Sequence, residues 1–241
     1  VKRIASDALV ARTVAYGESD VIVTLLTKTD GKLSALVRGG RKSARRVGGA
    51  LEPFHTVHVY VDDRGGDLGT LREARIVRVR ANIVSTLGAM EAAGLAMRWA
   101  RHLFPPRHAE PRAWATLHAL LDALDAGACP PRVALASAAL RLLADVGYAL
   151  DLERCVKCGK PCPPGRVAQV DAARGGLVCH ACGGARRMLS PELRAVAIAA
   201  QRGETPHETP HETSEMTSAQ ADALLEMVDD AMAAHTGFEP G

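Results

Sequence analysis

Two Cys-x-x-Cys pairs, Cys155/Cys158 and Cys179/Cys182, constrain this chain more than any other feature. Two thiols at i and i+3 in a tight turn can both reach one ion. Gly159 and Gly183 directly follow the pairs, as such turns favour. Two knuckles about 20 residues apart complete a tetrahedral four-thiolate shell, with Zn–S distances of about 2.3 Å. Four protein ligands leave no position for water, so one structural, non-catalytic Zn2+ is expected. Disulfide pairing and an iron–sulfur cluster are the alternatives, the first disfavoured in an intracellular chain. Cys162 and His180 could substitute as ligands, although each breaks the paired spacing, and Cys129 is expected to be an ordinary buried thiol.

The rest of the 241 residues changes period once. Segments 8–14, 21–26, 32–38, 56–61 and 70–79 are apolar or alternating runs of strand length, and Asp30-Gly31 is a turn signal between the second and third. In 56–61, Val57, Val59 and Val61 share one face. Five short strands in about 80 residues fit a small closed barrel better than a sandwich.

From Ala81 the period becomes helical. Ile83, Leu87, Met90, Met97 and Phe104 form one stripe. Trp114, Leu117, Leu121 and Leu124 form a second, and Val133, Leu140, Leu143 and Val146 a third. Trp99 and Trp114 are expected in the core. Ser190-Pro191-Glu192 starts a further helix, and Thr217 with Gln220 forms a capping box before a last one lined by Leu224, Leu225, Val228 and Met232. Between them 204–214 reads ETPHETPHETS, a linker in which Pro206 and Pro210 deny His207 and His211 a shared helix face.

The formal net charge of +3 is a sum of unlike parts. Residues 1–80 carry 15 Lys and Arg against 9 acids, whereas 203–241 carry 9 acids and no Lys or Arg. A basic body with an acidic, solvated tail is the pattern of a polyanion binder. No apolar run approaches the roughly 18 residues of a membrane span, and the first twenty residues lack a signal-peptide centre. A soluble, intracellular protein with no membrane contact is expected.

Arg38-Gly39-Gly40-Arg41-Lys42-Ser43-Ala44-Arg45-Arg46 puts five cations in nine residues, with no acid from Leu33 to Leu51. Glycines let the backbone approach a phosphate chain, and the cations displace its counterions. Lys32, Arg38, Arg41, Lys42, Arg45 and Arg46 are the candidate nucleic-acid contacts. The segment is not a P-loop, because its lysine does not follow a glycine in a strand–loop–helix unit. His108-Ala109-Glu110 matches half of a zinc deaminase signature. However, neither Cys pair is preceded by proline, and the surrounding prolines put His108 in a loop. No nucleophile, base and orienter come together, so no enzyme activity is expected.

The ordered combination of segments resembles the RecO recombination mediators of bacterial DNA repair. It runs through Ala11-Arg12-Thr13-Val14-Ala15-Tyr16-Gly17-Glu18-Ser19-Asp20, Gly31-Lys32-Leu33, the basic loop and Gly49-Ala50-Leu51-Glu52-Pro53-Phe54. Leu71-Arg72-Glu73-Ala74, Val146-Gly147-Tyr148-Ala149-Leu150-Asp151-Leu152-Glu153-Arg154-Cys155 and both Cys pairs complete it, over about residues 7–202. The ETPH repeat and the acidic tail depart from the pattern.

That resemblance implies an α+β, multi-domain chain: an OB-fold over 1–80, a helical domain over 81–154 and an inserted zinc element over 155–187. A returning helix over 188–202, a linker over 203–216 and a C-terminal helix with acidic tail over 217–241 follow. It implies binding of single- and double-stranded DNA, strand annealing and, with RecR, assistance to RecA loading on strands coated by single-stranded DNA-binding protein (SSB). The chain would be cytoplasmic, and nucleoid-associated when on DNA. The acidic C-terminal tail of SSB is a further implied partner. An acidic peptide ending in an apolar residue needs cations around an apolar floor. The candidates are Arg132 and Arg141 beside Leu135 and Leu142. A zinc-containing OB-fold protein that binds RNA is the alternative reading, since phosphate contacts do not separate the two nucleic acids. Residues 1–80 offer only Tyr16, Phe54 and Tyr60 for base stacking, so binding is expected to be phosphate-directed and indifferent to strandedness.

Overall fold

The structure, a computed structural model, describes residues 2–40, 49–204 and 216–238. It divides into two compact units, Val1–Ala126 and Gly127–Gly241. The division falls after Ala126 and not at residue 80, so the first two long helices belong with the strands.

The first unit opens with a mixed sheet: β1 (Lys2–Tyr16), β2 (Asp20–Thr27), β3 (Gly31–Val37), β4 (Thr56–Asp63) and β5 (Gly69–Arg78). The length of β1 lets it pair twice, its first half with β4 and its second with β2; Ala8 lies opposite both Val57 and Thr27. An irregularity between Val10 and Arg12 bends it between the two partners. The pairing runs β1-β2-β3-β5-β4 and returns to β1. The β3–β5 seam is only two parallel pairs, Ala35 with Gly69 and Leu36 with Thr70. A Cβ at Gly69 would stand 2.7 Å from Val61 Cγ1, so that seam requires glycine. Inside lie Val10, Val23, Leu25, Leu33, Ala35, Val57, Val59, Val61 and Leu71, which follow the period-2 pattern of the sequence.

After a short 3-10 turn, α1 (Leu87–Leu103) starts at Thr86, whose side chain accepts from the Ala89 N–H. Its buried face is Ala89, Ala92, Ala93, Ala96, Met97, Trp99, Ala100 and Leu103. The stripe expected through Leu87 and Met90 is therefore wrong at its start: both are exposed, at 66% and 42%. At that end of the helix Ala89, Ala92 and Ala93 are the buried residues instead, while Leu87 and Met90 face water. α2 (Pro111–Ala126) buries Trp114, Leu117, Leu121 and Leu124 as its spacing requires, and Trp114 Nε1 donates to the Leu26 carbonyl at 3.3 Å.

In the second unit α3 (Pro131–Asp145) packs against both α4 (Pro191–Arg202) and α5 (Ser218–Thr236). Two partners explain why α3 buries Leu135, Ala136, Ala139, Leu140, Leu142 and Leu143, a wider face than one stripe. α5 has the expected capping box and buries Leu224, Leu225, Val228 and Met232. Residues 218–236 are thus part of the core and not a solvated tail. The ETPH repeat lies outside the described residues.

Between α3 and α4 stands a small sheet, β6 (Asp151–Cys155), β7 (Ala168–Asp171), β8 (Gly176–Leu177) and β9 (Arg187–Leu189), in the order β6-β8-β7-β9. α4 holds it by side chains: the Gln201 amide accepts from Leu150 N–H at 2.8 Å and donates to Leu150 C=O at 3.1 Å. The buried Arg194 donates to the Pro163 carbonyl at 2.6 Å.

Candidate metal centre and nucleic-acid interface

The small sheet brings the four predicted cysteines together. Cys155 ends β6, Cys158 follows in the turn closed by Gly159 N–H donating to Cys155 C=O, and Cys179 and Cys182 bracket a 3-10 turn. Gly159 and Gly183 take positive φ, at 70° and 101°, as the knuckle turns demand. The four Sγ atoms lie within 4.8 Å of one another, and Cys158 Sγ is 3.7 Å from Cys179 Sγ. A tetrahedral shell with ligands about 2.3 Å from its centre has edges of about 3.8 Å, so the donor set fits a metal ion. No cysteine is in a disulfide.

Local charge supports that fit. The Cys179 N–H donates to Cys155 Sγ at 3.4 Å. That bond and further backbone donors from Cys158 and Lys157 hold the Cys155 thiol down at about 6. Cys182 is pushed up to about 12, chiefly by side-chain hydrogen bonds with Cys179 and Cys158. A cation would supply the opposite charge this thiol cluster lacks. Cys162 contacts the Pro163 carbonyl, and neither it nor His180 joins the group. Cys129 is exposed, contrary to the expectation of a buried thiol. A cleft of about 960 Å³ adjoins the second knuckle, lined by Lys157, Arg174, His180, Arg186, Arg187 and Asp230 among others.

Of the candidate phosphate contacts, Arg41, Lys42, Arg45 and Arg46 lie outside the described residues. Arg38 is exposed just past β3. Lys32 is half-buried at the start of β3 and its Nζ donates to the Arg101 carbonyl at 2.5 Å. Burial, then the Arg101 charge, lowers its pKa. The lysine is a tie between β3 and α1 before it is a free phosphate contact. Arg72, Arg75, Arg78 and Arg80, a second basic run in the sequence, are all paired, with Asp62, Glu73, Asp122 and Asp122 respectively. Of the aromatic rings, Phe54 is buried and Tyr16 is 54% exposed.

The partner groove expected on α3 is not open. Arg132 pairs with Asp222 of α5. Arg141 pairs with Asp145 at 3.0 Å and donates to the Gln201 carbonyl at 3.1 Å. Leu135 and Leu142 are buried, so neither offers the apolar floor expected of it. Sequence spacing places an arginine on a helix but says nothing of which acid reaches it.

A family model for the N-terminal part of recombination protein O matches residues 1–80, and one for its C-terminal part matches 85–240. The chain belongs to the RecO family. A DNA repair protein RecO of Anaeromyxobacter sp. (strain K) is 42% identical over 182 residues, 75% of this chain and 70% of the relative. That of Geobacter sulfurreducens is 39% identical over 189 residues, 78% and 76% of the two. That of Geobacter metallireducens is 33% identical over 232 residues, 95% and 91%. The RecO C-terminal match runs through α5, so the acidic last helix lies inside the family's own span and not beyond it.

No described helix is long and apolar enough to cross a membrane. What the sequence reading missed around the four-cysteine cluster is its backbone: the N–H donors of Lys157, Cys158 and Cys179 aimed at Cys155 carry no residue signature.

Proposed function

We propose that this chain is a recombination mediator in DNA repair, acting by binding and positioning DNA and not by catalysis. The match of both RecO family models, over 1–80 and 85–240, carries the reading. In it, the β1–β5 unit is an OB-fold that holds single and double strands through phosphates. Arg38, Arg41, Lys42, Arg45 and Arg46 contact the backbone. Phosphate-directed binding suits strand annealing, because the same surface must hold separate strands and the duplex product. One buried, one half-buried and one exposed ring on the strands and their loops are in keeping with little base stacking.

The four cysteines hold one structural Zn2+ that braces the β6–β9 sheet between α3 and α4. RecR, RecA and the acidic tail of SSB are the proposed partners, with RecA engaged indirectly. The protein would work in the cytoplasm, on the nucleoid when bound.

The test is annealing of complementary strands coated with SSB, with and without the chain. The four-fold variant Arg41→Gln/Lys42→Gln/Arg45→Gln/Arg46→Gln should lose annealing and bind single strands with a salt slope lower by about 0.7 per lost phosphate contact. Unchanged annealing and slope would remove the loop from the site.

A further inference from the structure

Charge pairing in the first unit is uneven. Six of its arginines, Arg3, Arg72, Arg75, Arg78, Arg80 and Arg107, each have a carboxylate within 4.0 Å. Arg12 of β1 and Arg98 and Arg101 of α1 have no ion pair among the described residues, and the fold gathers these three. The end of α1 is stitched to the start of β3: Lys32 N–H donates to the Pro105 carbonyl at 3.2 Å and Arg107 N–H to the Lys32 carbonyl at 3.1 Å. α1 also packs on β1. Arg98 and Arg101, three apart, share a face of the helix. Arg12 and Arg98 are exposed and Arg101 is half-buried.

Burial lowers the pKa of Arg101, and the charges of Arg12 and then Arg98 lower it further. Arg12, from β1, and Arg98, one turn back on α1, both act on the Arg101 guanidinium as like charges. The negative end of α1 offsets Arg101, which sits in its last turn. It does not account for Arg12, which comes from another element, or for Arg98, a turn further back. Three like charges from two elements, one of them half-buried and none in an ion pair among the described residues, are a site for an anion supplied from outside.

We propose that Arg12, Arg98 and Arg101 form a second phosphate subsite, which takes the backbone of the same nucleic-acid strand that the loop after β3 engages. The inference rests on the DNA-binding reading above. The register supports one continuous track. Arg12 lies opposite Thr24, and Thr24 opposite Ser34, four residues before Arg38. Four residues of strand are about 13 Å, and two strand spacings about 10 Å, giving a diagonal of about 16 Å. At 3.4 Å per nucleotide this is about five nucleotides of one strand. Outward positions of β3 alternate Lys32, Ser34, Leu36, with no acid among them, and at the Arg38 end the Asp20 carboxylate is engaged by the Gly39 N–H at 2.8 Å.

The test is anisotropy of a labelled oligo-dT with the full chain, titrated in salt. The variant Arg12→Gln/Arg98→Gln keeps the side-chain stems but removes two cations. Its slope should fall by about 1.4, and its affinity at 0.1 M salt by about 25-fold. Arg12→Lys/Arg98→Lys should keep the wild-type slope. If the Gln pair is unstable, Arg98→Gln alone, at an exposed helix position, should lower the slope by about 0.7. Wild-type slope in the Gln variants overturns the subsite. If the loop variant weakens binding in the same assay, only this inference falls; if the wild-type chain does not bind, the DNA-binding reading falls with it.

Discussion

Arg80 is the most exacting test of how the first unit holds together. Its side chain is fully buried, and its Nε donates to Asp122 at 2.7 Å. Its Nη1 donates to the Phe54 carbonyl at 2.7 Å and to Thr56 Oγ1 at 3.0 Å. Phe54 itself takes a positive φ of 73°, costly for a bulky residue, and the arginine pins its carbonyl in place. Asp122 is 27% exposed and also faces Arg78 at 2.7 Å and His118 at 3.3 Å. The two partners are thus unequal. Asp122→Ala leaves a buried guanidinium without its counter-charge and should cost about 3–5 kcal/mol. Arg80→Met fills the same volume without charge and leaves a carboxylate that water and Arg78 still serve. It should cost about 1–3 kcal/mol, from the two acceptors that lose a donor.

The double variant should then be more stable than Asp122→Ala alone, because it has no buried charge to strand. Both tryptophans, Trp99 and Trp114, lie in the first unit, so their fluorescence in a urea titration reports it directly. Asp122→Ala should also lower Tm by about 10–15 °C, at roughly 3 °C per kcal/mol for a unit of this size. His118 adds a pH signature. Burial first, then Arg80, hold its pKa below 6.5, with Asp122 opposing. The folded state therefore binds fewer protons than the unfolded one, and stability contributed by neutral His118 is lost as pH falls from 6.5 toward the lowered value. Removing Asp122 removes what opposes the depression, so that acid-side loss should steepen. Additive losses in the double variant would refute the reasoning.

Cys158→Ser should lower bound zinc below one per chain and destabilise the second unit while leaving Trp fluorescence unfolding unchanged; metal analysis beside the urea titration checks both. Leu224→Ala, at a fully buried position of α5, should cost about 2–5 kcal/mol in far-UV unfolding, whereas a solvated tail would register nothing. Gly31→Ala should fail to accumulate as folded protein, since Gly31 has φ of 68° and a Cβ there would meet His108 O at 2.1 Å; soluble yield and Trp emission report it.

Residues whose role is set by their sequence neighbours were legible. Val57, Val59 and Val61 alternate because the strand does, and the capping box at Thr217 and Gln220 is local geometry. The cysteine pairs are the same case: i and i+3 spacing dictates a knuckle, and only the meeting of the two knuckles is tertiary. α1 was misread where alanines, which carry little hydropathy signal, pack against neighbours while Leu87 and Met90 face water.

Arginine is where sequence reading gives out, for a physical reason. A guanidinium's function is decided by whether a carboxylate reaches it, and those carboxylates come from anywhere in the chain. Arg132 and Arg141 looked like open cations on a helix, yet Asp222 and Asp145 engage them. Arg72 and Arg75 sit in a basic run, yet Asp62 and Glu73 neutralise them. Arg12, Arg98 and Arg101 are scattered over some 90 residues, and among the described residues none of them is in an ion pair, while the first two act on the charge of the third. A basic run in sequence therefore overstates the surface available to a polyanion in one place and hides it in another. What remains after internal pairing is subtracted is the surface that DNA can meet.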